Sequence, residues 1–298
     1  MWMAASGSTS HPMSVPDALM TRDGARAPAA AATRGEVRDT RHICMYLLKC
    51  GAKSERMGRA CMGAEEARVL VERFLELEKD DILGLNQVMK GWHLMGHPAD
   101  EDMVVKLAER AQLWLKGGDG MSCGVTTYGL AKVVVLMEGR GAPERAVGEG
   151  GWLAGALGTM ARVTVEKREE LAAQAISNVL WAWATVGYHP GEQVMDAMQK
   201  EVAKKVGAFN AQDLANTVWA WAKLGCDPGD SAMDGVRDAV AKKVGDFKPQ
   251  ELANTVWAWA KLGYDPDKEV MDVMRDAAVA KLGDFAPTRT GQRGVGVG

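Results

Sequence analysis

Along residues 249–263 the apolar positions follow the period of a helix, not of a strand. Leu252, Ala253, Val256, Trp257, Trp259, Ala260 and Leu262, at about 100° per residue, fill an arc wider than half the helix. So wide an arc predicts burial between neighbours rather than one packed face. Gln250, Asn254, Ala258 and Lys261 share the remaining arc, with Glu251 beside them. Pro249 suits a helix start, and Gly263 with Pro266 beyond it suits a stop. A second helix is expected from about Asp267 to Lys281, with a stripe of Met271, Met274, Ala278 and Leu282 at spacings of three and four. No period-two alternation is present, which excludes a propeller blade.

The pattern recurs. FKPQELANTVWAWAKLGYDP at 247–266 repeats FNAQDLANTVWAWAKLGCDP at 209–228, and LAAQAISNVLWAWATVGYHP at 171–190 precedes both by the same 38-residue shift. Gln174, Gln212 and Gln250 align, as do Asn178, Asn216 and Asn254, then Trp181, Trp219 and Trp257, then Gly187, Gly225 and Gly263. A second-helix stripe of Met233, Val236, Val240 and Val244 matches the one above. Leu171, Phe209, Phe247 and Phe285 are placed to plug the joints between repeats. A fixed period of this size marks a repeat array whose helix pairs are too small to bury their own cores and hold by stacking.

The fold expected is therefore all-α, a right-handed α-solenoid of stacked helix-pair repeats. Weaker copies extend it upstream at 130–143, 85–98 and 41–51. Helix-terminating glycines at Gly51, Gly96, Gly141, Gly187, Gly225 and Gly263 predict six pairs, spaced 45, 45, 46, 38 and 38. This divides the chain into a leader (1–38), degenerate pairs (39–165), three regular repeats (166–287) and a tail (288–298). Phe285-Ala286-Pro287-Thr288 begins another repeat and the sequence then stops in GQRGVGVG, which reads as a truncated array.

The string PQ-x-LAN-x-VWAWAKLG-x-x-P resembles the core of the octotricopeptide repeat family, closely over 171–287 and loosely over 40–170. That family is related to FAST-kinase-like helical-repeat proteins, which often carry a C-terminal RAP domain; none is expected within these 298 residues. The resemblance implies binding of single-stranded RNA in a chloroplast or mitochondrion, alongside other proteins of an organellar ribonucleoprotein complex. The roles implied are in transcript stability, processing, splicing or translation.

For the RNA that the resemblance implies, the open arc of the first helices offers the binding surface, at Gln174, Asn178, Gln212, Asn216, Lys223, Gln250, Asn254 and Lys261. Amides can hydrogen-bond base edges or the sugar–phosphate chain of single-stranded RNA, or simply tie neighbouring repeats together. Identity from repeat to repeat favours backbone or stacking roles over base reading. The varying columns, Ala175/Asp213/Glu251 and Thr185/Lys223/Lys261, are better placed for selectivity or are ordinary solvated positions. Trp183, Trp221 and Trp259 lie mid-arc and belong to the core. Trp181, Trp219 and Trp257 lie at its edge, beside the amides.

Charge changes the picture in the other direction. Residues 171–285 hold 12 Lys/Arg against 16 Asp/Glu, and the 298-residue chain carries a net charge of -3. A nucleic-acid binder usually shows a basic footprint, so a protein-binding scaffold of the α-solenoid type stands as the rival reading. Lys204, Lys205, Lys242, Lys243 and Lys281 gather where second helices end, and acids gather where they begin. That complements the helix dipoles and also builds a lysine ridge.

The five cysteines lack disulfide or metal spacing. His93 and His97 fall either side of a helix stop, and GQRGVGVG lacks the strand and helix of a dinucleotide loop. No catalytic constellation, cofactor or metal site is expected, and no apolar run is long enough to span a membrane. Arg22, Arg26 and Arg34, with few acids near them, give the leader the look of a transit peptide, and its Ala-rich run reads equally as a disordered leader.

Overall fold

The computed structural model describes residues 39–77, 82–115, 119–137, 142–148 and 150–281. Among them are thirteen α-helices and no strand, only an isolated bridge between Ala99 and Met137. The fold is all-α. Contacts divide the chain into two compact units, separated between His97 and Pro98.

The first unit holds α1 (Thr40–Met57), α2 (Ala64–Glu76) and α3 (Ile82–Met95). Asp39 caps α1 by accepting the Arg41 N–H at 2.9 Å. Helices α1 and α3 pack on each other, and Ile43, Leu47, Leu70, Phe74, Leu85 and Met89 are buried. Gly51 is not the stop that the sequence suggested. It lies inside α1, which runs on to Gly58 in the left-handed conformation (φ 63°). The glycine serves a close helix crossing: a Cβ there would sit 2.7 Å from the Gly91 carbonyl oxygen.

With Gly58 and Gly96 as the true stops, the upstream spacing is the same as that between Gly187, Gly225 and Gly263, not longer. Helix α5 (Gly120–Val134) likewise starts one regular repeat length after α3. The step from α5 to α8 (Ala173–Val186) is longer than one repeat, and the added chain brings in the short α6 (Ala142–Val147). Gly141, which sequence reading took as a stop, lies outside the described residues.

The second unit contains α4 (Glu101–Leu115), α5, α6, α7 (Ala154–Glu166), α8 and α9 (Glu192–Lys205), followed by α10 (Ala211–Leu224), α11 (Asp230–Lys243), α12 (Pro249–Leu262) and α13 (Lys268–Ala280). First helices α5, α8, α10 and α12 pack side by side in one layer, and second helices α7, α9, α11 and α13 form the other. No break falls at 165/166, because α7 packs on α9 and α5 on α8. Between the layers run Trp183, Trp221 and Trp259 with Met198, Val202, Phe209, Val236, Val240 and Phe247, all buried. Gly187, Gly225 and Gly263 end α8, α10 and α12 in the left-handed region, where a side chain would be strained.

Second helices α7, α9 and α11 each lead through a single 3-10 turn (Arg168–Glu170, Val206–Ala208, Val244–Asp246) into a buried Leu171, Phe209 or Phe247. Phe285 and Leu282 of the expected pattern lie outside the described residues. A lysine one repeat later grips each turn. Lys205 Nζ donates to the carbonyls of Arg168, Glu169 and Leu171 at 3.2, 2.9 and 2.9 Å. Lys243 Nζ donates to Gly207 O at 2.8 Å and to Phe209 O, and Lys281 Nζ to Gly245 O at 2.8 Å. The expected lysine ridge is thus largely committed inside the stack: Lys205, Lys243 and Lys281 are inter-repeat clamps, and Lys204 pairs with Glu201 at 2.7 Å. Lys243→Met keeps the apolar stem and removes these charge-assisted bonds. It is expected to cost about 1–2 kcal/mol in urea unfolding.

The Lys205 clamp has a titratable partner. Glu201 is buried, which by itself raises its carboxyl, but hydrogen bonds and charge from Lys204 and Lys205 outweigh this and hold it below the usual range. A carboxyl depressed in the folded state stabilises above its unfolded value of about 4.3 and loses that contribution as pH falls through the folded value. Glu201→Gln should therefore narrow its stability gap to the parent protein between neutral pH and pH ~3, as followed by urea midpoints.

Candidate nucleic-acid interface

A first helix in this stack has neighbours on two sides and the second-helix layer beneath it. At about 100° per residue, Leu252 and Trp259 of α12 face the layer below and are buried. Thr255 and Ala258 lie toward α10, whereas Ala253, Val256 and Ala260 lie on the opposite flank. What is left open is a narrow wedge carrying Gln250, Asn254, Trp257 and Lys261, spaced four, three and four apart on one helix face. The same wedge on α10 carries Gln212, Asn216, Trp219 and Lys223, and on α8 it carries Gln174, Asn178, Trp181 and Thr185.

All eight expected site residues fall on this wedge. The glutamines and both lysines are exposed, and the three asparagines are half-buried. None of the six side-chain amides has a hydrogen-bond partner among the described residues, and neither Lys223 nor Lys261 is ion-paired there. Each amide keeps a donor and an acceptor available. Trp181 and Trp219 are half-buried and Trp257 is 45% exposed, so these three indoles belong to the open face. Trp183, Trp221 and Trp259 are core, as their mid-arc position suggested.

Two sequence-level assignments are corrected. Ala258 is fully buried because it meets α10, not solvent. The column Ala175/Asp213/Glu251 also faces the preceding helix: Ala175 and Asp213 are 5% and 4% exposed. Asp213 accepts a 2.8 Å hydrogen bond from the buried Ser177 hydroxyl, and its other oxygen takes the Asn210 N–H at 3.2 Å. Asp213 thereby ties α10 to α8, whereas Glu251 is half-buried and accepts the Lys248 N–H of its own helix start at 2.8 Å. Of the two varying columns, Thr185/Lys223/Lys261 alone lies on the wedge.

Sequence reading missed how far the face extends. Tyr128 of α5 takes the tryptophan position, its ring centroid 4.9 Å from that of Trp181, and Lys132 Nζ sits 4.8 Å over the Tyr128 ring. The column Tyr128, Trp181, Trp219, Trp257 therefore crosses four first helices. The signal was present in the sequence, but the insertion around α6 lengthens the offset and hides it from a search at the regular period. The amides stop at α8, because Val125 stands where the next asparagine would be.

Elsewhere the structure supports less chemistry. A half-open cleft of about 420 Å³ beside α6 is lined by Asp100, Glu101, Met137, Arg145 and Trp152, among others. Asp100 is occupied in capping α4, accepting the Met103 N–H at 2.9 Å. Burial pushes the Cys123 thiol up to about 11, and burial with the neighbouring Cys61 thiol pushes Cys50 up to about 12, the reverse of an activated nucleophile. Among the described residues no group of three His, Cys, Asp or Glu side chains could hold a metal, and no helix is long and apolar enough to cross a membrane.

Fold and face together define an all-α helical-repeat protein. No family model matches the chain, and no curated protein matches it.

Proposed function

We propose that this protein binds single-stranded RNA along the wedge face of α8, α10 and α12, as an octotricopeptide-type factor in organellar RNA metabolism. The observation that carries the reading is the ladder itself. Three successive rungs present the same unpartnered glutamine and asparagine beside an open tryptophan, and two of them add a free lysine. Neighbouring helices are spaced by about 8–10 Å, so a strand laid across them meets one rung per helix, in the manner of repeat proteins that take one base per repeat. The indoles offer stacking faces to any base, the amides bond base edges or ribose, and Lys223 and Lys261 meet phosphate. Bound this way, a strand is shielded from nucleases or held open for processing, splicing or translation machinery. No cofactor takes part and no covalent step is needed.

The organelle placement is supported by Arg22, Arg26 and Arg34 in a leader poor in acids, which lies outside the described residues. A fusion of the first 40 residues to a fluorescent protein tests it. A second reading, a scaffold for other proteins, is favoured by the acidic balance of 171–285. The full chain should retain a random-sequence RNA pool at about 50 mM salt and release it as salt rises toward about 200 mM. No retention even at the lowest salt would overturn the RNA reading and leave the scaffold.

A further inference from the structure

We propose that Cys50 and Cys61 are the two halves of a reversible disulfide in the first unit, closed by exchange with a small-molecule disulfide such as oxidised glutathione. Their separation of 11 residues matches no familiar thiol motif, and the fold brings them together. Tyr46, Cys50 and Ser54 stand four residues apart on one face of α1. Cys61 lies in the connection to α2, and two hydrogen bonds fold it back onto that face. Its N–H donates to Ser54 Oγ at 2.9 Å, and its Sγ donates to the Cys50 carbonyl at 3.1 Å. Ser54 Oγ in turn donates to the same carbonyl at 2.8 Å. So held, the two thiols share a hydrogen bond of their own. Met62, the next residue, is buried, and its carbonyl accepts from the His97 ring, which keeps the connection in place. Cys50 and Cys61 are half-buried, whereas Cys44, Cys123 and Cys226 are buried.

Position divides the work between them. Cys61 follows the exposed residues 55–60, so it meets the incoming disulfide first. Its thiolate attacks one sulfur and expels one small thiolate, which takes up the proton that Cys61 gave up. Cys50 then attacks the Cys61 sulfur of the mixed disulfide and expels the second small thiolate, which takes the Cys50 proton. Two protein thiols lose two electrons and two protons, and the small disulfide gains them as two thiols. Cys50 suits the second step and not the first. Burial, and then the Cys61 thiol, pushes it up to about 12. In the mixed disulfide Cys61 carries no ionisable thiol, so the second of these causes is gone. The Tyr46 hydroxyl donates to the Cys50 sulfur and favours its thiolate, and the Lys53 charge acts the same way. Tyr46 is thus a positioning residue for the closing step.

The full chain, incubated with oxidised glutathione, alkylated at its remaining thiols and mapped by peptide mass without reductant, tests this without RNA. Two of the five cysteines should be found in one linked pair of peptides, Cys50 with Cys61, and dithiothreitol should restore both thiols. Tyr46→Phe removes only the hydroxyl. It should slow closure about threefold while leaving formation of the mixed disulfide at Cys61 unchanged. Cys61→Ser should leave Cys50 a thiol through the same incubation. Both thiols remaining free, a glutathione adduct that persists on Cys61 without closing, or a link made through other cysteines overturns the proposal. Closure at the parent rate in Tyr46→Phe strikes Tyr46 from it.

Discussion

Trp221→Ala is expected to cost about 3–5 kcal/mol, a large loss for one substitution. Trp221 is wholly buried at the centre of the three regular repeats, among Phe209, Leu214, Val236 and Val240. Truncation to alanine removes the side chain that joins the two layers at that point. It opens a cavity in the middle of the stack, where each repeat is stabilised by its contacts with its neighbours. Trp221→Phe separates shape from polarity. Among the described residues the indole N–H of Trp221 has no hydrogen-bond partner, as is also true of Trp183 and Trp259. Phenylalanine therefore loses volume but no bond, and should cost no more than about half as much as alanine. Urea midpoints at constant m-value give both numbers. Equal losses for the two variants would mean that the indole N–H has an unseen role.

The second large effect is on RNA affinity. Replacing Asn216, Asn254, Lys223 and Lys261 together by alanine should weaken binding on the order of 100-fold or more at low salt. The slope of log affinity against log salt should fall by about 2, one for each lost lysine contact. The melting temperature should hardly move, because neither lysine is ion-paired and neither amide is bonded within the described fold. This dissociation of binding from stability distinguishes the wedge from the columns beside it. Asp213→Ala, by contrast, should destabilise the protein by breaking the Ser177 bridge. Unchanged RNA affinity in the fourfold variant would move the interface off this face.

Much of the architecture was legible because the repeat is written three times nearly verbatim. The terminating glycines of the regular repeats (Gly187, Gly225 and Gly263), the mid-arc tryptophans and the joint residues Leu171, Phe209 and Phe247 take their expected places. Less legible was anything that depends on which flank of a helix meets which neighbour. A helical wheel built from one repeat gives an apolar arc and a polar arc, and it put Ala258 and Glu251 on the polar side. Small residues are what a crossing helix requires: in the first unit Gly91 meets α1 at Leu47, and in the second Ala182, Ala220 and Ala258 stand at one buried position of α8, α10 and α12. Read singly, Gly51 looked like a stop and Ala258 like a solvated alanine. Both are contact residues. The lysine clamps were hidden for a similar reason, since helix dipoles account for lysines at helix ends whether or not a carbonyl waits one repeat away.

The face was legible as a set of residues but not as a shape. Its amides were found from identity across repeats. Its extension to Tyr128 and Lys132 needed the structure, because the insertion around α6 shifts the register. The charge balance, which weighs against nucleic acid when summed over the whole repeat region, reads differently once located. Clamp lysines and capping aspartates such as Asp227 and Asp267 are engaged with backbone, and the wedge retains cations without acids in its own columns.

The most direct test of RNA binding on the wedge is ultraviolet cross-linking of the full chain to a short single-stranded RNA, with the adducts mapped by peptide mass. Cross-links on peptides containing Trp181, Trp219 and Trp257, lost when those three residues are changed to leucine, are the result predicted. Cross-links confined to α9, α11 and α13, or none above background at low salt, would contradict it.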